Sequence, residues 1–531
     1  MSSIARASAL IGAGTIVSRL TGLLRTIVLV AAVGAVSEAG DAFAVANQLP
    51  NNIYAIISTG LLTAVIVPQI VKVAAHPDGG QAFISKLLTL GVVALLVTTA
   101  VAIAVAPWLV TLYAPDFTPD QLALSTTFAY WCLPQIFFYG LFALLGEILN
   151  ARRVFGPYTW APIVNNLVSI TGFIFFIVLF GSDQNVVDDW TLGMIALLAG
   201  TATLGIILQT VLLLFFWRRA SLQLRPDFRW RGVGLNHLGR LAGWTFLMVV
   251  AGQLAGLMQS RVLSPASGTA PAQLASQNAW LIFMLPYSVI VLSIGTPYFT
   301  RLSEHAHAGR DGDVRADIGS SIRTLGLFTV LATAALAVAA VPASRIFTGS
   351  AAQAQQAALV LVCFLVSLVP LAVLFVVQRT FYAYDDTRTP FFFTLVQAAL
   401  VVATALLVQA TVPVDYLAAG VALGQSLASI VQVVIATWLL HRRLGGIGVG
   451  GWMLSLGRFF LAAVPAAAAG WGTFLLLGGV DGWTVSDRLL GAIGTAIIGT
   501  VAAVVYLAFL WLLRAPELAV VRPILRRVLR R

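Results

Sequence analysis

Long apolar stretches alternate with short polar breaks along the chain. The stretches fall at about 4–33, 42–73, 84–113, 121–150, 158–181, 190–217, 239–263, 273–300, 320–347, 354–383, 390–411, 415–440, 454–479 and 488–513. Each reaches the roughly 20 apolar residues that a helix needs to cross a bilayer. Every backbone N–H and C=O must be satisfied inside the hydrocarbon, so such stretches are helices. The pattern predicts an all-α, polytopic integral membrane protein with about 14 transmembrane helices.

Composition excludes the soluble alternative. The 531 residues are 59% hydrophobic and 10% charged, with mean hydropathy +0.94. A soluble domain is about 25% charged. The first stretch far exceeds the 7–15-residue core of a signal peptide. It also lacks a small-residue cleavage site, so it is expected to be retained.

Charge sets the orientation. The net charge is +11. The basic residues crowd one set of loops: Lys72 and Lys86; Arg152 and Arg153; Arg218 to Arg231; Arg301, Arg310 and Arg315; Arg388; Arg442 and Arg443; then the tail after Arg522. The alternate loops carry Glu38, Asp116, Asp120, Asp183, Asp188, Asp189, Asp415 and Asp481, with few bases such as Arg345 and Arg488. Basic loops stay cytoplasmic. Both termini are then inside, which requires an even number of helices. The excess charge belongs to these loops and implies no nucleic-acid partner.

A weak internal repeat divides the chain. QLPNNIYAIISTG (48–60) is echoed by MLPYSVIVLSIGT (284–296), and ILNARRVFGPYTWAP (148–162) by TFYAYDDTRTPFFFT (380–394). Six helices separate the copies, so the halves share one orientation, as in transporters built from parallel repeats. The expected organisation is an N-lobe at 1–220, a C-lobe at 221–445, two further helices at 446–513 and a basic cytoplasmic tail at 514–531. The two lobes are pseudo-symmetric six-helix bundles, and substrate sites usually lie between such bundles.

Two arginines interrupt the first helix in SRLTGLLR (18–25). At 100° per residue, Gly12, Thr15, Arg19, Gly22 and Thr26 share one face, and Arg25 borders it. An arginine in such a segment costs about 2.5–3.5 kcal/mol on insertion scales. A guanidinium pair on a polar stripe suits a phosphate or pyrophosphate. The plainer alternative has Arg19 paired with a neighbouring helix and Arg25 reaching for the interface.

Asp41, Gln48, Asn52 and Thr59 align on the second helix. Asp41 is a candidate partner for a first-helix arginine. Gln48 and Asn51 are candidate substrate contacts, although backbone freed by Pro50 competes for Asn47, Asn51 and Asn52. Arg261 lies near the outer end of the seventh helix, facing either the cavity or the interface. Arg379, Asp385, Asp386 and Arg388 cluster at one helix end. They form either a loop-bracing ion network or an ion site or gate made by Asp385 and Asp386. Cys132 and Cys363 sit in apolar runs and read as core residues, so no disulfide or metal site is expected. The five histidines form no HExxH pair, and no glycine-rich phosphate loop with a lysine occurs. An enzyme is not expected.

SRLTGLLR (18–25), DAFAVANQLPN (41–51), ILNARRVFGPYTWAPIVNN (148–166), LPYSVIVLSIGT (285–296) and FYAYDDTRTP (381–390), in this order, resemble the MurJ (MviN) family. These are lipid II flippases of the MOP transporter superfamily, and the resemblance has an actinobacterial flavour. It implies export of lipid II, an undecaprenyl-pyrophosphate-linked disaccharide peptide, from the inner to the outer leaflet of the bacterial cytoplasmic membrane by alternating access. It also implies that Arg19, Arg25 and Asp41 match functional positions, and that the two last helices make a groove for the lipid tail. Tyr54 and Leu281 stand where many members have arginine, which weakens the carry-over of a larger cationic site; Arg261 is a candidate substitute. No cofactor is expected, with coupling to Na+ or to membrane potential left open. Membrane lipids and the cell-wall synthesis machinery are expected partners. The rivals are a flippase for another polyprenyl-pyrophosphate oligosaccharide, a cation-coupled multidrug exporter of the same superfamily, and a non-transporting scaffold.

Overall fold

The computed structural model describes residues 3–59, 81–151, 154, 156–217, 226–228 and 235–520. Gly60, Pro68, Lys72, Arg152, Arg153, Arg218, Arg219, Arg225, Arg229, Arg231 and the tail from 521 lie outside them. Among the described residues the chain is helical throughout, with no strand.

Packing divides the chain into two compact units, 1–269 and 270–531. The first holds α1 (Ser3–Val33), α2 (Glu38–Ile57), α3 (Gln81–Ala104), α4 (Ala106–Tyr113), α5 (Pro119–Cys132), α6 (Gln135–Ala151), α7 (Gly156–Phe180), α8 (Leu192–Phe216) and α9 (Leu235–Leu263). The second holds α10 (Gln273–Pro286), α11 (Ser293–His307), α12 (Asp311–Val338), α13 (Ala340–Arg345), α14 (Ala351–Leu365), α15 (Leu368–Ala383), α16 (Arg388–Thr411), α17 (Leu417–Arg443), α18 (Val449–Leu476), α19 (Trp483–Ser486) and α20 (Arg488–Leu512). The repeat puts α9 at the head of the second lobe; it packs on α2 and α4, inside the first unit.

Twelve stretches of the described residues are long and apolar enough to cross a membrane. The two long helices beside them, α1 of 31 residues and α2 of 20, carry Arg19, Arg25, Glu38 and Asp41. At about 1.5 Å per residue α1 is about 46 Å and α2 about 30 Å long, each enough for a hydrocarbon core of roughly 30 Å. Twelve of the fourteen expected crossings are thus among the described stretches, and α1 and α2 overlap the other two, 4–33 and 42–73. The chain is an all-α polytopic membrane protein.

Several crossings are made of two helices rather than one. α5 gives way to α6 at Pro134, and α14 to α15 at Ser367, just before Pro370. Proline removes a donor and clashes with the preceding turn, so the helix breaks or shifts there. After Pro286 the backbone instead widens into a π-helical turn, Tyr287–Leu292, before α11 begins. Residues 58 and 59 of the matching LPNNIYAIIST segment are π-helical too. Helix ends close with a recurrent bond. Val154 N donates to Leu149 O at 2.8 Å and Asp386 N to Phe381 O at 3.0 Å, the same bond closing α6 and α15.

Capping follows the loop chemistry. Ser37, Thr118, Thr191, Ser350 and Asp487 each accept a backbone N–H at the start of a helix. All five lie in the acid-bearing set of loops. There the capping oxygens satisfy helix donors that have no partner within the helix.

In the first unit α7 lies between α1 and α8. A Cβ added at Gly205 would come within 2.4 Å of Asn165 Oδ1 and 2.7 Å of its carbonyl oxygen, so α7 and α8 approach at backbone distance. Small residues at helix contacts are how bilayer helices gain packing energy. The second unit centres on α12, α15, α17 and α18, with Phe381, Phe393, Phe459 and Tyr506 wholly buried. The Tyr506 hydroxyl donates to Leu327 O at 3.0 Å, which satisfies its polar end.

Candidate functional site

The first unit contains a cavity of about 690 Å³ lined by Thr15, Ser18 and Arg19 of α1, Phe142 and Asn150 of α6, and Tyr158, Thr159 and Pro162 of α7. Asn166 holds α1 in place here. Its Nδ2 donates to Ser18 O and to Thr21 Oγ1, both at 3.0 Å. A Cβ at Gly22 would lie 3.6 Å from the same amide, an ordinary contact, and Gly22 is not part of the cavity lining. Arg19 is exposed. Among the described residues no Asp or Glu lines the cavity; Glu147 lies behind the wall, within electrostatic reach of Tyr158.

Arg25 is placed differently. It is half-buried, within electrostatic reach of Tyr139, whose ring packs 5.7 Å from that of Tyr54. It is absent from the lining of the Arg19 cavity. Of the two first-helix arginines only Arg19 therefore faces that space. Tyr54, through Tyr139, helps form the aromatic wall beside Arg25.

Asp41 is 1% exposed and accepts a hydrogen bond from Ser267 Oγ at 2.9 Å. Gln121 Nε2 donates to Ser267 Oγ at 2.7 Å and to Glu38 O at 2.9 Å. A second link lies beside it: Ser264 Oγ donates to Asp116 Oδ2 at 2.6 Å. Arg261 belongs to the same end of the unit. Its Nη1 donates to Leu112 O at 3.0 Å, satisfying a carbonyl near the end of α4. Asp41 and Arg261 thus tie the C-terminal end of α9 to α2, α4 and α5, and neither lines the cavity. The Ser264–Ser267 side of this latch was not legible, because serines in a turn carry no periodic signal.

On α2, Asn51 is exposed and Gln48 half-buried. Asn52 Nδ2 donates to Tyr113 OH at 3.2 Å, and Gln135 Nε2 reaches Asn47 Oδ1 at 3.5 Å. These asparagines bond neighbouring side chains rather than backbone freed by Pro50.

The cluster at the end of α15 separates into two. Asp386 accepts from Thr389 N at 2.9 Å, from Thr389 Oγ1 at 2.8 Å and from Arg443 Nη1 at 2.5 Å. It braces the turn into α16. Asp385 is exposed with φ +56°, a left-handed conformation that Asp tolerates better than most residues. Nearby, the Tyr384 hydroxyl donates to Asp311 Oδ1 at 2.5 Å. Burial, then the Asp311 carboxylate, push this phenol up to about 12. Arg379 takes no part in this network. Among the described residues, no group of three or more His, Cys, Asp or Glu could hold a metal ion.

A second, apolar cavity of about 860 Å³ lies in the unit 270–531. α15 contributes Val369 and Val373, α17 contributes Val433 and Trp438, and α18 contributes Trp452, Leu456 and Phe460. Of the two last long helices only α18 lines it; α20 packs against α18, α12 and α13.

The model of the lipid II flippase MurJ family matches residues 29–515. The chain belongs to this family. It is 25% identical to a probable lipid II flippase MurJ of Haemophilus influenzae, over 94% of this chain and 98% of that one. Its fold is similar to a solved lipid II flippase MurJ in an inward closed conformation, with TM-score 0.72 at 19% identity, covering 94% and 98% of the two chains. It is also similar to an inward-facing multidrug resistance MATE transporter of the MOP superfamily, with TM-score 0.65 at 14% identity over 81% and 95%. The fold is therefore common to flippase and drug exporter, and the sequence family separates them. Membership makes the chain a multi-pass membrane transporter. In the MurJ frame, the Arg19 cavity is the feature that speaks to an anionic cargo.

Proposed function

We propose that this protein exports lipid II from the inner to the outer leaflet of the cytoplasmic membrane by alternating access. The observation that carries the reading is Arg19, an exposed cation on the wall of a cavity that no acid lines among the described residues. A pyrophosphate needs a cation whose hydrogen-bonding fork is open. Arg25, backed by Tyr139 and Tyr54, adds positive potential from the same helix rather than a second arm of one clamp. The apolar cavity between α15, α17 and α18 is suited to part of the polyprenyl tail. The protein moves its cargo without changing covalent bonds, so it is a transporter and not an enzyme. Both termini lie on the cytoplasmic side, and the exported precursor passes to the cell-wall synthesis machinery.

Of the two candidate driving forces, membrane potential suits these residues better than Na+. Asp386 is already held by Arg443 and Thr389. An interior-negative potential expels an anionic headgroup, at about 2.3 kcal/mol per charge for each 100 mV.

The test is rescue of a bacterial strain depleted of its own lipid II flippase, scored by growth and by lipid II exposed on the outer leaflet. Wild type should rescue both. Arg19→Ala, at matched expression, should reduce exposed lipid II by about tenfold or more, the scale of one lost charge-assisted contact. Rescue by Arg19→Ala equal to wild type would remove the arginine from the mechanism. Absence of rescue by inserted wild type would point to a different lipid-linked sugar.

A further inference from the structure

We propose that Arg379 is an oxyanion-binding post in the unit 270–531, taking a phosphate of the lipid-linked cargo. This rests on the function proposed above and adds a residue to it. Arg379 lies on α15 and lines a cavity of about 330 Å³ with Tyr287, Gln378 and Tyr382 among its neighbours. Its guanidinium carbon sits 5.1 Å from the centroid of the Phe299 ring and 5.3 Å from that of Phe375. Two aromatic faces fix a guanidinium plane while leaving its edge N–H groups free to bind.

Arg379 differs in its pairing from three arginines of the same unit. Arg301 pairs with Asp317, Arg310 with Asp313 and Arg443 with Asp386. Arg379 has no acid partner among the described residues, and the cavity lining contains no Asp or Glu. Every titratable or amide side chain there is a donor or can become one. Gln378 Nε2 donates to the Tyr382 hydroxyl at 2.8 Å, which leaves that hydroxyl's own proton available. A cationic drug would find no counter-charge in such a space; an oxyanion finds several donors.

The backbone points the same way. Tyr287 opens the π-helical turn Tyr287–Leu292, and Leu292, which closes it, also lines the cavity. Single π turns inside α-helices recur at functional sites because they redirect side chains that a regular helix would aim elsewhere. Here the turn brings a tyrosine of one crossing beside an arginine of another.

The test uses the full chain in nanodiscs and three probes: undecaprenyl pyrophosphate, undecaprenyl monophosphate and undecaprenol. Retention of each is measured by native mass spectrometry for wild type, Arg19→Gln, Arg379→Gln and Arg379→Lys, with phosphatidylcholine or phosphatidylglycerol as the bulk lipid. Arg379→Gln should weaken pyrophosphate binding by about tenfold, with undecaprenol unchanged. Arg379→Lys should recover part of the loss, since it keeps the charge but not the fork. A loss equal for all three probes would mean a packing role and overturn the proposal. A change confined to retained phosphatidylglycerol, with pyrophosphate affinity intact, would assign Arg379 to bulk lipid and overturn it too. Wild-type affinity lost in Arg19→Gln but kept in Arg379→Gln would overturn this inference alone. A wild type with no preference for pyrophosphate over undecaprenol would overturn the proposed function and, with it, this post.

Discussion

Asp41 and Arg19 both stand out as charges in apolar sequence, yet their surroundings separate them. Arg19 borders open space, whereas Asp41 is closed off and bonded to Ser267. A buried carboxylate keeps its charge only where donors reach it, so Ser267 and Gln121 are part of its site. A hydrogen bond to a charged group contributes about 1.5–3 kcal/mol. Ser267→Ala should therefore lower stability toward unfolding in detergent by about 1–3 kcal/mol. Asp41→Asn and Ser267→Ala together should cost less than the sum of the two, because each removes the same bond. Additive losses in that double-mutant cycle would mean that Asp41 is held by something else. Arg19 was legible as a site because a helix stripe is periodic. Asp41's partner Ser267 was not, because it lies more than 200 positions away in a turn.

At the level of helices, glycine separates fixed contacts from open ones. A Cβ at Gly205 would press on the Asn165 side chain and backbone, whereas at Gly252 on α9 it would meet nothing within 4 Å. Gly205→Ala should destabilise by about 1–3 kcal/mol, the usual cost of overpacking. Gly252→Ala should be neutral or stabilising by up to about 1 kcal/mol through helix propensity. Thermal unfolding of the two variants in one detergent checks the pair; equal midpoints would show that α7 and α8 are not in backbone contact. Helix existence was plain in the sequence because twenty apolar residues have few alternatives in a bilayer. Breaks such as that between α5 and α6 were not, because a proline can either kink a helix or end it. The closing bonds of α6 and α15 match, but the same bond also closes α11 and α17, so it is general helix-end chemistry. The sequence repeat does not report packing: α9, first of the second set by sequence, lies against α2 and α4.

For the molecule as a whole, the open question is which side of the membrane each loop faces. The capped helix starts lie among the acidic loops, and the basic loops gather at the other helix ends. Translocating a lysine or arginine against an interior-negative potential is unfavourable, so the basic side should be cytoplasmic. The orientation decides the direction of export, because an anion entering beside Arg19 must start from the leaflet where it is made. Single cysteines can read it in a background where Cys132 and Cys363 are replaced by alanine. Asp188 and Asp415 are exposed in the acidic set, and His307 is exposed in the basic set. Asp188→Cys and Asp415→Cys should react with a membrane-impermeant maleimide on intact spheroplasts. His307→Cys should react only after the membrane is opened. The reverse pattern would invert the orientation, and a cation-rich face turned outward would leave an anionic precursor made in the cytoplasm with no reason to enter.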